Sequence, residues 1–182
     1  MRFLLLIPLL LGCVPVLSAT VLVPAEFREI VSGSQIIVHG RISEVRPEWI
    51  DGRRRIESVI TLEASSFYRG TSSGTITFRV PGGQIGRYKS VTVGAPAFNA
   101  GDEVVLFLKS RGPSVPQVFG FNQGVFRVAV DQRTGRRMVT EPILMARGVA
   151  AQRVVRGARD RQPLPLDQFA TQIRSVLQGG VR

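Results

Sequence analysis

Chemistry in this chain would have to start from His39, the single histidine, and from the adjacent carboxylates Asp102 and Glu103. A lone imidazole builds neither a metal site without further ligands nor a triad without a nucleophile held against it. Val38, Gly40 and Ile42 alternate with His39, Arg41 and Ser43. This places His39 on the outward face of a strand, as a surface or loop-covered residue. Asp102 and Glu103 follow Gly101 and could hold a calcium ion or move protons, given a third oxygen ligand and a pocket. Without these they form a solvated turn ahead of the Val104 strand. The run Gly82-Gly83-Gln84-Ile85-Gly86 has the wrong spacing for a dinucleotide fingerprint and no helix is predicted after it. Its glycines are read as backbone freedom for a bulge or wide loop. No catalytic residue, cofactor or metal ligand is therefore assigned, and the expectation is a non-enzymatic protein.

Tyr88, Phe98, Phe119 and Phe121 stand beside Arg87, Lys89 and Arg127, a mixture that barrels use to stack single-stranded nucleic acid. The exported location argued below disfavours that ligand, so no nucleic acid is expected, and Phe98 and Phe107 are assigned to the core. The formal net charge of +11 is carried almost wholly by arginine, since Lys89 and Lys109 are the two lysines. Such a surface attracts polyanions, but scattered arginines on solvent faces need no ligand.

The segment Met1 to Ala19 has the pattern of an export signal: Arg2, an apolar run from Phe3 to Leu11, and the small pair Ser18-Ala19. It falls short of the roughly 20 apolar residues of a permanent span. Leu10-Leu11-Gly12-Cys13 also resembles a lipobox, which would acylate Cys13 and tether the protein to a membrane. The apolar residues Val14 to Leu17 favour cleavage near Ala19 instead, giving a secreted or periplasmic chain. Cys13 is the only cysteine, so after such cleavage no disulfide can form and stability must come from packing.

Phe27, Ile30 and Val31 recur at helical spacing with Gly33 beyond them, which predicts a short helix. Alternating runs at Gln35–Val45 and Ile56–Tyr68 flank a polar turn containing Asp51-Gly52 and predict a long hairpin. A third strand is expected at Thr75–Val80, broken by Pro81-Gly82-Gly83. An excursion over residues 82–101, with a short strand at Ser90–Val93, covers one barrel end or lines a site. Val104–Leu108 is continuously apolar and predicts a strand covered on both faces. Val118–Asn122 and Val125–Val130 are read as a second hairpin split by Gln123-Gly124. The arginine-rich stretch 132–165 is expected to be partly disordered, apart from a strand at Met138-Val139-Thr140 and an apolar patch at Ile143-Leu144-Met145. Phe169, Ile173, Val176 and Leu177 predict a C-terminal helix over 166–178, ended by Gly179-Gly180. The predicted fold is mainly β: an OB-like antiparallel barrel over residues 20–131, with one short helix at each end of the chain.

Particular residues carry a resemblance across Val21 to Val130. Leu22-Val23-Pro24 leads to Phe27, then to the strand Ser34–Ile42 with Gly40-Arg41, then to Phe67-Tyr68-Arg69-Gly70 and to Ile76-Thr77-Phe78. This order resembles the netrin-like module of tissue inhibitors of metalloproteinases, and the layout also resembles that of uncharacterised exported bacterial proteins. The resemblance implies a binding module that engages a protein partner, with inhibition of an extracytoplasmic metalloprotease as one form of that activity. By position it assigns the contact edge to Thr20, Val21 and Leu22 and to the excursion residues Arg87, Tyr88 and Lys89. In that family an N-terminal disulfide-bonded cysteine chelates the protease zinc. A chain beginning near Thr20 has no cysteine to do so. A basic protein associating with polyanions or the cell envelope is the alternative.

Overall fold

Whether the outward face of the barrel is wet or covered decides what His39 and Glu103 can do. The computed structural model describes residues 23–70, 74–110, 115–142, 145–146 and 162–179. The leader, Cys13, Thr20, Val21 and Leu22, and much of the basic stretch lie outside the described residues.

The chain enters through β1 (Ala25–Glu26) and α1 (Phe27–Ser32), which lead to the long strands β2 (Ile36–Ile50) and β3 (Arg55–Arg69). β4 (Thr75–Pro81) follows, then the small antiparallel pair β5 (Gly83–Ile85) and β6 (Tyr88–Ser90), and then β7 (Glu103–Lys109). β8 (Gln117–Val118), β9 (Val125–Val130), β10 (Arg137–Thr140), β11 (Met145–Ala146), β12 (Leu164–Pro165) and α2 (Leu166–Gly179) complete it. β11 pairs in parallel with β1. Among the described residues no helix is long and apolar enough to cross a membrane.

Five strands close a barrel in the order β7-β2-β3-β4-β8, with β8 returning to β7. β8 lies parallel to β4 through the Arg79–Gln117 pair and antiparallel to β7 through Leu108–Val118 and Lys109–Gln117. This is an OB-type Greek-key barrel, as the sequence pattern predicts. Bending β2 around a barrel this small requires local breaks in its ladder. Its pairing with β3 shifts register between Ile37 and Val38, between His39 and Gly40, and between Ile42 and Glu44. At Gly40 the neighbouring backbone comes so close that a Cβ would collide with the Glu63 carbonyl.

β7 carries two layers at once. Val104, Leu106 and Leu108 point into the barrel with Val38, Ile60, Leu62, Phe78 and Phe98. Val105 and Phe107 point outward into a second core with Ile30, Ile37, Phe126, Phe169 and Ile173. Its continuous apolar run therefore reports a strand buried on both faces, as expected. The outer layer exists because β9 pairs with the first half of β7, β10 pairs with β9, and β12 with β10. α1 and α2 pack on this extension, where Phe126 and Phe169 lie 4.9 Å apart and Phe107 and Phe126 lie 5.1 Å apart. Such ring pairs contribute about 0.5–1.5 kcal/mol beyond their area burial.

Two local expectations change. Val118–Asn122 does not pair with Val125–Val130: β8 is part of the barrel seam, and the chain turns back upon β7. Both the Phe119 and Gly124 backbones bond to Phe107, at 2.9 Å each, so one residue of β7 closes this turn. The excursion strand is Tyr88–Ser90, leaving Val91 and Val93 exposed. The strand expected at Met138-Val139-Thr140 forms, starting one residue earlier, as Arg137–Thr140 against Arg127–Val130, while residues 147–161 lie outside the described residues.

Candidate binding surface

His39 points outward from the barrel, as its alternation predicts, yet it is 4% exposed because a second layer covers that face. Of the two states expected for it, surface or covered, it takes the covered one, with the outer layer as the cover. Leu166, Asp167 and Ala170 of α2 line a depression with Ser66, Tyr68 and His39. Nε2 of His39 lies 2.8 Å from Oε1 of Glu103. Two guanidiniums also approach that carboxylate, Arg137 at 3.4 Å and Arg41 at 3.5 Å. Glu103 thus joins β2, β7 and β10 through three cationic or donor groups. It is a half-buried tie between the barrel and its outer layer, not the solvated turn residue expected from sequence.

Asp102 does different work. Its Oδ2 accepts from the Asn99 backbone N–H and from Arg127 Nη1, each at 2.9 Å, while its own carbonyl accepts from Ile42 N–H at 2.8 Å. Arg127 in turn donates to the Ala97 carbonyl and lies 5.9 Å from the Phe98 ring centroid. Asp102 therefore fastens the end of the excursion to the barrel wall. The two carboxylates take separate partners, so they do not act as a paired acid and base. Among the described residues no group of three His, Cys, Asp or Glu side chains is placed to hold a metal.

The excursion itself is pinned along the protruding end of the β2–β3 hairpin. Gly82 N–H donates to the Ile56 carbonyl at 3.0 Å, and Ser58 Oγ donates to the Gly82 carbonyl at 2.8 Å. At Gly83, with φ +146°, a Cβ would meet Ser58 Oγ at 2.7 Å, so only glycine lets the chain lie this close. Phe98, stacked edge-on against Phe78 with centroids 5.5 Å apart, fills the barrel interior. Tyr88 is consequently free of that duty: it is 51% exposed and stands edge-on against Trp49 at 5.5 Å. The Arg87 guanidinium lies 5.1 Å from the Tyr88 ring and donates to its hydroxyl at 3.0 Å. Lys89 is exposed on the same short strand.

The structure thus brings Arg87 and Tyr88 together with Trp49, which the sequence reading did not select, and leaves Lys89 exposed beside Tyr88 on the alternate face of the same strand. The available signal was its place at the end of a long strand beside a polar turn, where a large aromatic needs a covering partner. Thr20, Val21 and Leu22 lie outside the described residues. Just after them, buried Gln123 clamps the chain by accepting from Ala25 N–H at 2.6 Å and donating to the Val23 carbonyl at 3.1 Å. Of the other aromatics considered for stacking, Phe119 is buried and Phe121 is exposed. Phe121 has φ +58°, a left-handed conformation that costs a bulky residue on the order of 1–3 kcal/mol. Compared with known protein families, curated proteins and solved structures, the chain matches none.

Proposed function

We propose that this chain is an exported, non-enzymatic binding module that docks a protein partner on the Trp49, Arg87, Tyr88 and Lys89 surface. The observation that carries the reading is an exposed tyrosine, braced by a tryptophan and an arginine, on a segment whose backbone is fastened to a rigid hairpin. Aromatic and arginine side chains on a preorganised support are the residues that dominate binding energy at protein interfaces. The OB-type strand order supports the netrin-like resemblance at the level of fold. Inhibition of an extracytoplasmic metalloprotease is the specific form of the proposal, with a mode of contact that needs no N-terminal cysteine.

The test combines Arg87→Ala with Tyr88→Ala and measures melting temperature together with inhibition of, and binding to, a panel of purified secreted metalloproteases. Loss of binding at an unchanged melting temperature supports the surface. Binding that survives the double substitution removes it.

A second reading rests on Arg53 and Arg54, exposed at the tip of the same hairpin. With Arg87 and Lys89 on the neighbouring excursion they offer cations to an acidic glycan or the cell envelope. Retention on heparin that falls steeply with salt and depends on Arg53 and Arg54 would favour it.

A further inference from the structure

A cleft at the barrel seam has no part in the surface above. It encloses about 510 Å³ and is walled by Val80, Pro81, Pro96, Val115, Val118 and Phe121. That size lies within the range of small-molecule sites, and the lining is largely apolar, as such sites are. Three independent features point to an occupant.

The first is charge. Arg79 and Lys109 both border the cleft, but their states differ. Arg79 is neutralised, with Glu48 at 2.8 Å and Glu57 at 4.0 Å. Lys109 has no carboxylate partner among the described residues: its Nζ lies 4.0 Å from the Phe119 ring centroid. A lysine bordering an apolar cleft is complementary to one negative charge on an apolar body. Glu57 on another wall would repel a second negative charge.

The second feature is backbone strain. Phe121 adopts φ +58° directly after Gly120 at φ +54°, and the residue remains 37% exposed. A glycine would meet the turn without strain, and a phenylalanine left more than a third exposed recovers only part of its burial energy to offset it. Strained residues of this kind concentrate at ligand clamps.

The third is the weakness of the seam. β8 is two residues long and meets β4 through the single pair Arg79–Gln117. The cleft therefore lies where the barrel wall is least continuous, beside strands β4 and β8.

We infer that this cleft binds an amphipathic monocarboxylate, with the carboxylate on Lys109 and the apolar body against Phe121, Val115 and Val118. The same chemistry is offered by a free fatty acid of medium length and by the C-terminal carboxylate of a peptide ending in apolar residues. The site shares no residue with the Trp49–Tyr88 surface, so either can fail without the other.

The experiment titrates the intact protein with octanoate, with octan-1-ol, and with acetyl-Gly-Leu-Phe as free acid and as amide, followed by calorimetry and by the NMR shifts of Phe121 and Val118. At least one acid should bind about tenfold more tightly than its neutral counterpart, the factor a charge-assisted hydrogen bond supplies. Octanoate preference identifies the fatty acid; preference confined to the peptide acid identifies the chain terminus. Lys109→Gln should abolish the acid preference while leaving octan-1-ol binding unchanged. Phe121→Gly should melt at or above the parent temperature and bind the preferred acid about tenfold more weakly. Acid and neutral ligands binding alike, a preference that survives Lys109→Gln, shifts confined to other regions, or no binding by either acid would overturn the inference.

Discussion

The Tyr88 ring meets Trp49 edge-on, at 5.5 Å between centroids and an interplanar angle of 68°, although the two residues belong to different segments of the chain. Trp49 is at the end of β2, which continues past the barrel wall, and Tyr88 begins the strand folded back along it. Their contact explains how a half-exposed tyrosine can be held in one place. It also means that the surface has two separable parts, a ring that would touch a partner and a ring that supports it.

Trp49→Ala should therefore reduce partner binding by about tenfold through loss of preorganisation, while lowering global stability by only about 1 kcal/mol, the scale of one aromatic pair near the surface. Chemical denaturation and binding on the same samples distinguish the two effects. A stability loss above about 3 kcal/mol would place Trp49 in the core of the arm instead.

Val105→Asp should unfold the domain. Val105 is fully buried in the outer core, and an aspartate there would face apolar side chains and His39, whose Nε2 is already held by Glu103, so the cost exceeds about 4 kcal/mol against a typical total stability of 5–15 kcal/mol. Phe126→Ala, which removes a ring from the same cluster without adding charge, should cost about 3–5 kcal/mol and leave a folded, less stable protein. Equal melting temperatures for the two variants would contradict the double burial of β7.

Much of this architecture is readable in the chain because it rests on local pattern. The apolar run Val104–Leu108 announces a strand covered twice, Asp51-Gly52 marks the hairpin tip, and Phe169 and Ile173 mark the buried face of the last helix. What cannot be read locally is what covers an outward face. His39 follows the alternation of a solvent-facing residue, and only the docking of α2 and β10 buries it against Glu103. The seam strand Gln117–Val118 is equally silent, since two residues carry no periodicity and the pair that closes the barrel, Arg79–Gln117, joins positions far apart in sequence. The cleft beside it depends on Lys109 lacking a carboxylate among the described residues, a tertiary property that composition cannot express.

Glu103→Gln tests the tie between barrel and outer layer. The amide keeps the shape but removes the charge that Arg41, Arg137 and His39 share. Both arginines are more than half exposed and can return to water, so the loss should be modest, about 1–3 kcal/mol. Hydrogen exchange should quicken first in β10 and α2, ahead of the barrel strands. Uniform quickening throughout the domain would show that the two layers unfold as one unit.

Asp131 gives a pH dependence with a definite sign. Its carboxylate accepts the Arg133 backbone N–H at 2.8 Å, and that bond, followed by the Thr134 hydroxyl, lowers its pKa below the ordinary aspartate value. The ionised form is therefore the one that holds the β9–β10 turn. A carboxyl group whose pKa is depressed in the folded state stabilises fully above its unfolded pKa, and that contribution disappears as pH falls through the folded value. Because the group lies at the surface, the effect should be local to residues 131–136, with little change in global unfolding. The Arg133 amide should exchange faster, relative to the β7 amides, once the solution is more acidic than the ordinary aspartate range. Asp131→Asn keeps an oxygen acceptor but cannot ionise, so its turn should show no such acid-dependent step. An identical step in wild type and Asp131→Asn would assign the acid response to another group.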